Sequence, residues 1–142
     1  MKIGIASDHA GYDLKDFIKE TYKNIYCFED FGTFSNESVD YPDFAHPLAT
    51  SVENNINSKG ILICGSGNGV AMTANKHKNV RAALCWTPEI ALLARQHNNA
   101  NILVLPARFV TFEEANLIIN IFMNTNFEGG RHEKRVEKIN IQ

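Results

Sequence analysis

The sequence predicts an α/β fold: one domain built on a five-stranded parallel sheet with helices on both faces. Three observations carry this. Five short apolar runs recur along the chain with helical patterns between them, which implies strands buried on both faces. No internal repeat, low-complexity tract or linker interrupts them. The length, 142 residues, suits one domain with one substantial core.

The first strand is expected over Lys2–Ser7. A helix follows, with Leu14, Phe17, Ile18 and Tyr22 on one face. The second strand, Ile25–Asp30, runs into Phe31–Asp40 (FGTFSNESVD), the longest polar interruption, which reads as a surface loop able to reach a site. The second helix carries a stripe of Ala45, Leu48, Ala49, Val52 and Ile56. Pro42 suits its first turn, whereas Pro47 removes one early hydrogen bond. Further strands are expected over Gly60–Cys64, Val80–Cys85 and Asn101–Leu105. Two later helices announce their starts: Thr87-Pro88-Glu89 offers a cap and an N1 proline, and Thr111-Phe112-Glu113-Glu114 is a capping box. After the last long helix, Glu128-Gly129-Gly130 breaks the chain before a basic tail, read as a helix over 130–142.

Composition narrows the function. The chain is 44% hydrophobic and 21% charged with a net charge of -2, so no nucleic acid or membrane surface is expected as a partner. No apolar run approaches the roughly 20 residues of a membrane span. The N-terminus opens into a strand without the apolar core of a signal peptide. The three cysteines, Cys27, Cys64 and Cys85, lie on three separate apolar segments. An odd number so placed predicts reduced thiols in the cytoplasm. No C-x-x-C pair is present, so a structural zinc site is not expected.

In parallel sheets ligands bind beyond the carboxyl ends of the strands, so the residues there are the candidates. Strand one ends in Ser7-Asp8-His9-Ala10-Gly11, where Asp8 and His9 suit polarising a hydroxyl or holding an anion. The pair equally suits a capping Asp beside an exposed His. Strand three ends in Cys64-Gly65-Ser66-Gly67-Asn68-Gly69, whose alternate glycines allow a tight turn that aims N–H groups at one point. With the following helix N-terminus this makes an anion site, for a phosphate or for an enolate formed in a reaction. The bland alternative is a tight strand-to-helix turn. Cys64 stands where a helix end favours the thiolate, a usable base; packing alone would also explain it. His97 ends a helix, as a capping residue or as chemistry. Arg131 and Arg135 are four apart and would share a helical face, either as a phosphate clamp or as a solvated basic end.

Six motifs in order now carry a resemblance: SDHAG from Ser7, DYP at Asp40-Tyr41-Pro42, ILICGSGNG from Ile61, ANK at Ala74-Asn75-Lys76, RQHN from Arg95, and EGGRHEKRV from Glu128. The chain resembles type B ribose-5-phosphate isomerase, a family shared with allose-6-phosphate and galactose-6-phosphate isomerases. The resemblance implies a three-layer Rossmann-like fold with strand order near 2-1-3-5-4. It also implies a homodimer or dimer of dimers with active sites at the subunit interface, and no cofactor or metal. It assigns Cys64 as the proton-shuttling base and Gly65, Ser66, Gly67, Asn68 and Gly69 as the cradle for an enediolate. Ser66 would relay a proton between the two substrate oxygens, and His97 would open the sugar ring. Asp8, Tyr41 and Asn98 would contact sugar oxygens; His9, Arg108, Arg131 and Arg135 would hold the phosphate. One branch of the family replaces the cysteine by a glutamate just after the glycine loop, where this chain has Val70. The galactose-6-phosphate enzymes pair two chains, one lacking parts of this set. The full set here favours a self-sufficient isomerase of ribose 5-phosphate and ribulose 5-phosphate, in the pentose phosphate pathway.

A hexose-phosphate isomerase is the nearest alternative, with loop Phe31–Asp40 setting pocket depth. A non-catalytic phosphate- or nucleotide-binding module is a second. Against it, the loop reads G-x-G-x-G instead of G-x-G-x-x-G, and Cys85-Trp86 stands where a ribose-binding acid belongs. A redox sensor built on Cys64 lacks a resolving cysteine nearby in sequence.

Overall fold

The computed structural model describes residues 1–141. Strands β1 (Lys2–Ser7), β2 (Cys27–Asp30), β3 (Lys59–Cys64), β4 (Ala82–Leu84) and β5 (Ile102–Pro106) form one parallel sheet in the order β2-β1-β3-β5-β4. The helices are α1 (Tyr12–Tyr22), α2 (Pro42–Glu53), α3 (Asn68–Ala74), α4 (Pro88–Gln96), α5 (Phe112–Asn124) and α6 (Glu133–Glu137). Short 3-10 turns, His9–Gly11 and Gly130–His132, precede α1 and α6.

Strand side chains alternate between faces, and that alternation sorts the core into two layers. Ile3, Ile5, Ile61, Ile63, Leu103 and Leu105 face α1, α4 and α5, packing on Leu14, Ile18, Ala91, Ala94, Ile118 and Phe122. Ala6, Leu62, Cys64, Ile102 and Val104 face α2 and α3, packing on Leu48, Ala49, Val70 and Ala74. The three-layer sandwich and its strand order are those the resemblance implied. From β1 the chain steps outward one way to β2 and then the other way to β3, so the order reverses between β1 and β3. A ligand crevice is expected there, beyond the strands' carboxyl ends.

The caps are as the sequence specifies. Thr87 Oγ1 accepts from the Ile90 N–H at 3.2 Å. Thr111 and Glu114 exchange two bonds of 3.0 Å as a capping box. Several boundaries differ: the third strand gains Lys59, and the fifth shifts by one residue to Ile102–Pro106. The second strand begins at Cys27 instead of Ile25, because the Ile25 and Tyr26 N–H groups both bond to the Tyr22 carbonyl as α1 ends. The fourth shrinks to Ala82–Leu84, an edge strand whose only ladder is with β5. The second helix starts at Pro42 as expected but stops at Glu53, because Asn55 turns left-handed at φ 57°. Ile56 therefore leaves the apolar stripe and is exposed.

The tail helix expected over 130–142 is also corrected: α6 covers only Glu133–Glu137. It buries no residue, so packing does not extend it. Beyond it Asn140 is drawn into a pair of hydrogen bonds with Asn79, at 3.2 and 2.7 Å. Gln142 lies outside the described residues.

The polar loop after β2 is anchored by a buried ion. Lys15, fully buried on α1, puts its Nζ 2.7 Å from Asp30 Oδ1 and donates also to the Thr33 carbonyl. Lys19 takes the other Asp30 oxygen at 2.7 Å. Burial pulls the Lys15 ammonium below the ordinary lysine range. Burial alone would raise the Asp30 carboxyl, but bonds from Lys15, Lys19 and the Gly32 N–H outweigh it and hold the group below its usual range. A buried charge is tolerated only when so fully partnered, and the partners here fix the start of the loop that borders the crevice.

Candidate active site

A cavity of about 410 Å³ opens at the reversal between β1 and β3. Asp8 and His9 line it from β1, Cys64, Gly65, Ser66 and Gly69 from β3 and its loop, and Tyr41 from the start of α2. Arg108 and Phe109 close it from the segment after β5. The strand ends thus bring together Asp8, His9, Tyr41, Cys64, Gly65, Ser66, Gly69 and Arg108, all expected from the sequence.

Cys64 is the last residue of β3, and its Sγ accepts the Gly67 N–H at 3.1 Å. Gly67 can supply it because its φ of 80° turns the loop left-handed, a conformation costly for other residues. Gly69 is required for space: a Cβ there would stand 2.5 Å from the Tyr41 ring. The other cysteines differ in kind. Burial pushes the Cys85 thiol up to about 12, and Cys27 is exposed on the edge strand β2.

Asp8 does what the capping alternative foresaw, its Oδ1 accepting the Ala10 and Gly11 N–H groups at 2.9 and 3.1 Å. It lines the cavity nonetheless. His9 Nδ1 accepts the Val39 N–H at 3.2 Å. That bond fixes the ring proton on Nε2 in the neutral imidazole, so His9 presents a donor on its free edge. Arg108 lies over the loop: its N–H donates to the Gly65 carbonyl at 3.0 Å, and a Cβ on Gly65 would meet its guanidinium at 3.2 Å.

Asn68 is exposed, outside the cavity lining, with its N–H turned back to Ser66 Oγ at 3.2 Å. With the Gly67 N–H on Cys64, two N–H groups of the expected cradle are held within the loop. The first turn of α3, which includes Gly69, has N–H groups without intrahelical acceptors.

The remaining candidates sit at the opposite edge of the sheet. His97 caps the C-terminus of α4, five residues before β5 begins. Cys64 pairs with Pro106 at the far end of β5, and Ile102 with Gly60. Four residues of strand, roughly 13 Å, thus separate Cys64 from the start of β5, the end that the His97 segment leads into. Asn98 lines a separate groove with Asn75, Arg81 and Ile139. The tail joins the same end: the Glu128 N–H donates to the Gln96 carbonyl at 3.1 Å, and the His132 ring stacks on His97 with centroids 4.2 Å apart. Arg131 and Arg135 flank that ring, both exposed. Burial first, then the neighbouring His97, pushes the His132 imidazole below its usual range. One chain therefore holds its candidate residues in two separate groups, one around Cys64 and one around His97.

Sequence reasoning missed Phe109 on the cavity rim and His132 on the His97 ring. Phe109 could have been found from its place just after Arg108. His132 stands inside the EGGRHEKRV motif, but nothing local signals that it stacks on a residue 35 positions earlier.

Arg108 and His9 offer positive charge and a donor to an anion, Cys64 offers a base, and Asp8 and Tyr41 offer hydroxyl partners. That set suits proton transfer on a small anionic polyol. The comparisons agree with it. The Ribose/Galactose Isomerase family matches residues 3–139. The probable ribose-5-phosphate isomerase B of Mycoplasma genitalium is 49% identical over 140 residues, 96% of this chain and 92% of that protein. The crystal structure of a ribose 5-phosphate isomerase from Thermotoga maritima superposes with a TM-score of 0.95 at 50% identity, covering 97% of this chain and 96% of the other. The Mycoplasma genitalium ribose-5-phosphate isomerase B with bound ribulose-5-phosphate gives 0.93 at 49% identity, covering 97% and 93%. A match over residues 3–139, with relatives this similar across nearly their whole length, places the chain in the Ribose/Galactose Isomerase family.

Proposed function

We propose that the chain interconverts ribose 5-phosphate and ribulose 5-phosphate through a cis-enediolate, as the isomerase step of the pentose phosphate pathway in the cytoplasm. The observation that carries this reading is the Cys64 thiol at a cavity of about 410 Å³, beside a glycine loop and under Arg108. The identity to a relative whose structure holds ribulose-5-phosphate supports the choice of sugar. No described helix is long and apolar enough to cross a membrane.

In this mechanism the Cys64 thiolate removes the C2 proton of the open aldose. The electron pair moves into the C1–C2 bond, and negative charge passes to O1, where N–H groups of the loop and first turn of α3 stabilise it. Ser66 passes a proton between O1 and O2. The Cys64 thiol then returns the proton to C1, which leaves the ketone at C2. Asp8 and Tyr41 hold sugar hydroxyls, and Arg108 and His9 face the phosphate. The grip on the phosphate orients the reacting carbons over the sulfur.

His97, Asn98, Arg131 and Arg135 enter from a second copy of the chain. Their place at the opposite edge of the sheet supports this: none can reach its own Cys64, yet a two-fold partner can present that edge to the cavity. The active unit is then a homodimer, or a dimer of dimers, with two composite sites per pair. His97 opens the sugar ring, and Arg131 and Arg135 complete the phosphate clamp.

The test of this reading is isomerisation by the purified protein of ribose 5-phosphate beside allose 6-phosphate, before and after exhaustive EDTA treatment. The pentose is expected to turn over with the higher kcat/KM, and chelation to leave that rate intact. A preference for the hexose would overturn the choice of sugar. Activity lost on chelation and restored by a divalent ion would overturn the mechanism.

A further inference from the structure

Among the described residues, one group of three side chains brings His, Cys, Asp or Glu ligand atoms within 4.8 Å of one another: His97, Glu128 and His132. It lies away from the Cys64 cavity, where the tail folds back over the end of α4. The Glu128 N–H on the Gln96 carbonyl, at 3.1 Å, fixes the tail's approach. Glu128 Oε2 stands 3.8 Å from His132 Nε2, and the two imidazoles stack at 4.2 Å with planes 13° apart.

We propose that His97, Glu128 and His132 form a zinc site, and that zinc bound there inhibits the isomerase by taking the ring nitrogen that His97 uses on the sugar. The inhibitory half rests on the proposed role of His97. Two imidazoles and one carboxylate make a three-ligand set suited to zinc, with the fourth position left to water. Tetrahedral coordination at 2.0–2.2 Å needs ligand atoms roughly 3.4 Å apart. From within 4.8 Å the adjustment is about an ångström or more. Near-parallel rings point their in-plane lone pairs side by side, so the rings must turn toward each other about χ2. That torsion is broad and shallow for histidine. Glu128 is half exposed and free to swing in.

The chain's other imidazole cluster is spent on itself. His46 Nδ1 and His77 Nε2 are hydrogen-bonded at 2.8 Å, and His77 Nδ1 bonds to Glu53 at 3.2 Å. At the tail, Glu128 Oε2 and His132 Nε2 stand 3.8 Å apart, too far for a hydrogen bond to hold them to each other.

The experiment titrates zinc into metal-free protein against a chromophoric zinc indicator, in parallel with inhibition of ribose 5-phosphate turnover. Wild type, Cys64→Ala and Glu128→Gln are compared, each with a melting curve. Glu128→Gln keeps the side chain's shape, and Glu128 has no part in the proposed chemistry, so its activity without zinc should match wild type. The expected result has two parts. Cys64→Ala binds one zinc per chain as tightly as wild type. Glu128→Gln binds roughly tenfold or more weakly, and its half-inhibiting zinc concentration rises by the same factor. Binding lost in Cys64→Ala would mean that zinc sits on the thiol, and binding unchanged in Glu128→Gln would remove the carboxylate; either overturns the site. Intact binding without inhibition of an active enzyme would overturn the inhibitory role alone. An inactive wild type would count against the isomerase reading, while the binding comparison would still decide the zinc site.

Discussion

Cys64→Ala is expected to abolish turnover in both directions while sugar-phosphate binding survives. The thiolate would carry the proton from C2 to C1 in one direction and back in the other, so no direction escapes its loss. A positioned base of this kind is worth about 10²–10⁴ in rate. No neighbour can replace it: the residue after the glycine loop is Val70, apolar and buried. Asp8 has one oxygen committed to two N–H groups at 2.9 and 3.1 Å. The substitution also removes the acceptor of the Gly67 N–H, at a cost of about 1 kcal/mol, which a melting curve will register. Cys64→Ser retains an acceptor and separates that effect, since its hydroxyl keeps the bond but is a far weaker acid. Iodoacetamide should inactivate the wild type, with substrate protecting. A Cys64→Ala protein that keeps more than about a tenth of the wild-type rate would contradict the assignment.

His97→Asn is expected to split the two directions. Ribose 5-phosphate is mostly a closed ring, whereas ribulose 5-phosphate has its fifth oxygen blocked and stays open. A residue that opens the ring is needed on the aldose side alone. Initial consumption of aldose should therefore fall far more than initial consumption of ketose. At high enzyme the aldose rate should level off at spontaneous ring opening. If the His97 ring only packs the tail onto the end of α4, stacking on His132 with centroids 4.2 Å apart, its replacement acts through the fold. Equal losses in both directions with a lowered melting point would mean that. Progress curves from either side decide between the two.

The two halves of the proposed site were not equally legible in the sequence. Asp8, Cys64 and the glycine loop stand immediately after apolar runs, so the α/β pattern alone puts them at the carboxyl edge of a parallel sheet. Their neighbourhood follows from topology once β1 and β3 are adjacent. That adjacency, and the reversal of order beside it, came from the resemblance and not from periodicity. His97 and the tail arginines carry no comparable local signal. They gather where the tail meets the end of α4, away from the Cys64 cavity, and only the tertiary structure shows that separation. The stacking of His132 on His97 and the grip of Lys15 on Asp30 and Thr33 are tertiary contacts between distant segments. A fully buried lysine on a helix face that also carries Leu14 and Ile18 runs against the pattern used to read that helix. The tail misled for a related reason: charged residues at helical spacing predict a continued helix, but without a buried face packing does not extend it beyond Glu137.

The composite site is the central claim, and a mixed dimer tests it most directly. Cys64→Ala and His97→Asn chains, carrying different tags, are co-expressed and the mixed dimer is purified through both tags. If each site takes Cys64 from one chain and His97 from its partner, one of the two sites in the mixed dimer is intact and the other lacks both groups. Consumption of ribose 5-phosphate should then recover to about half the wild-type rate per dimer, although each parent alone is nearly inactive on the aldose. A mixed dimer no faster than half the rate of the His97→Asn parent would contradict the account, because it would mean that each site is complete within one chain.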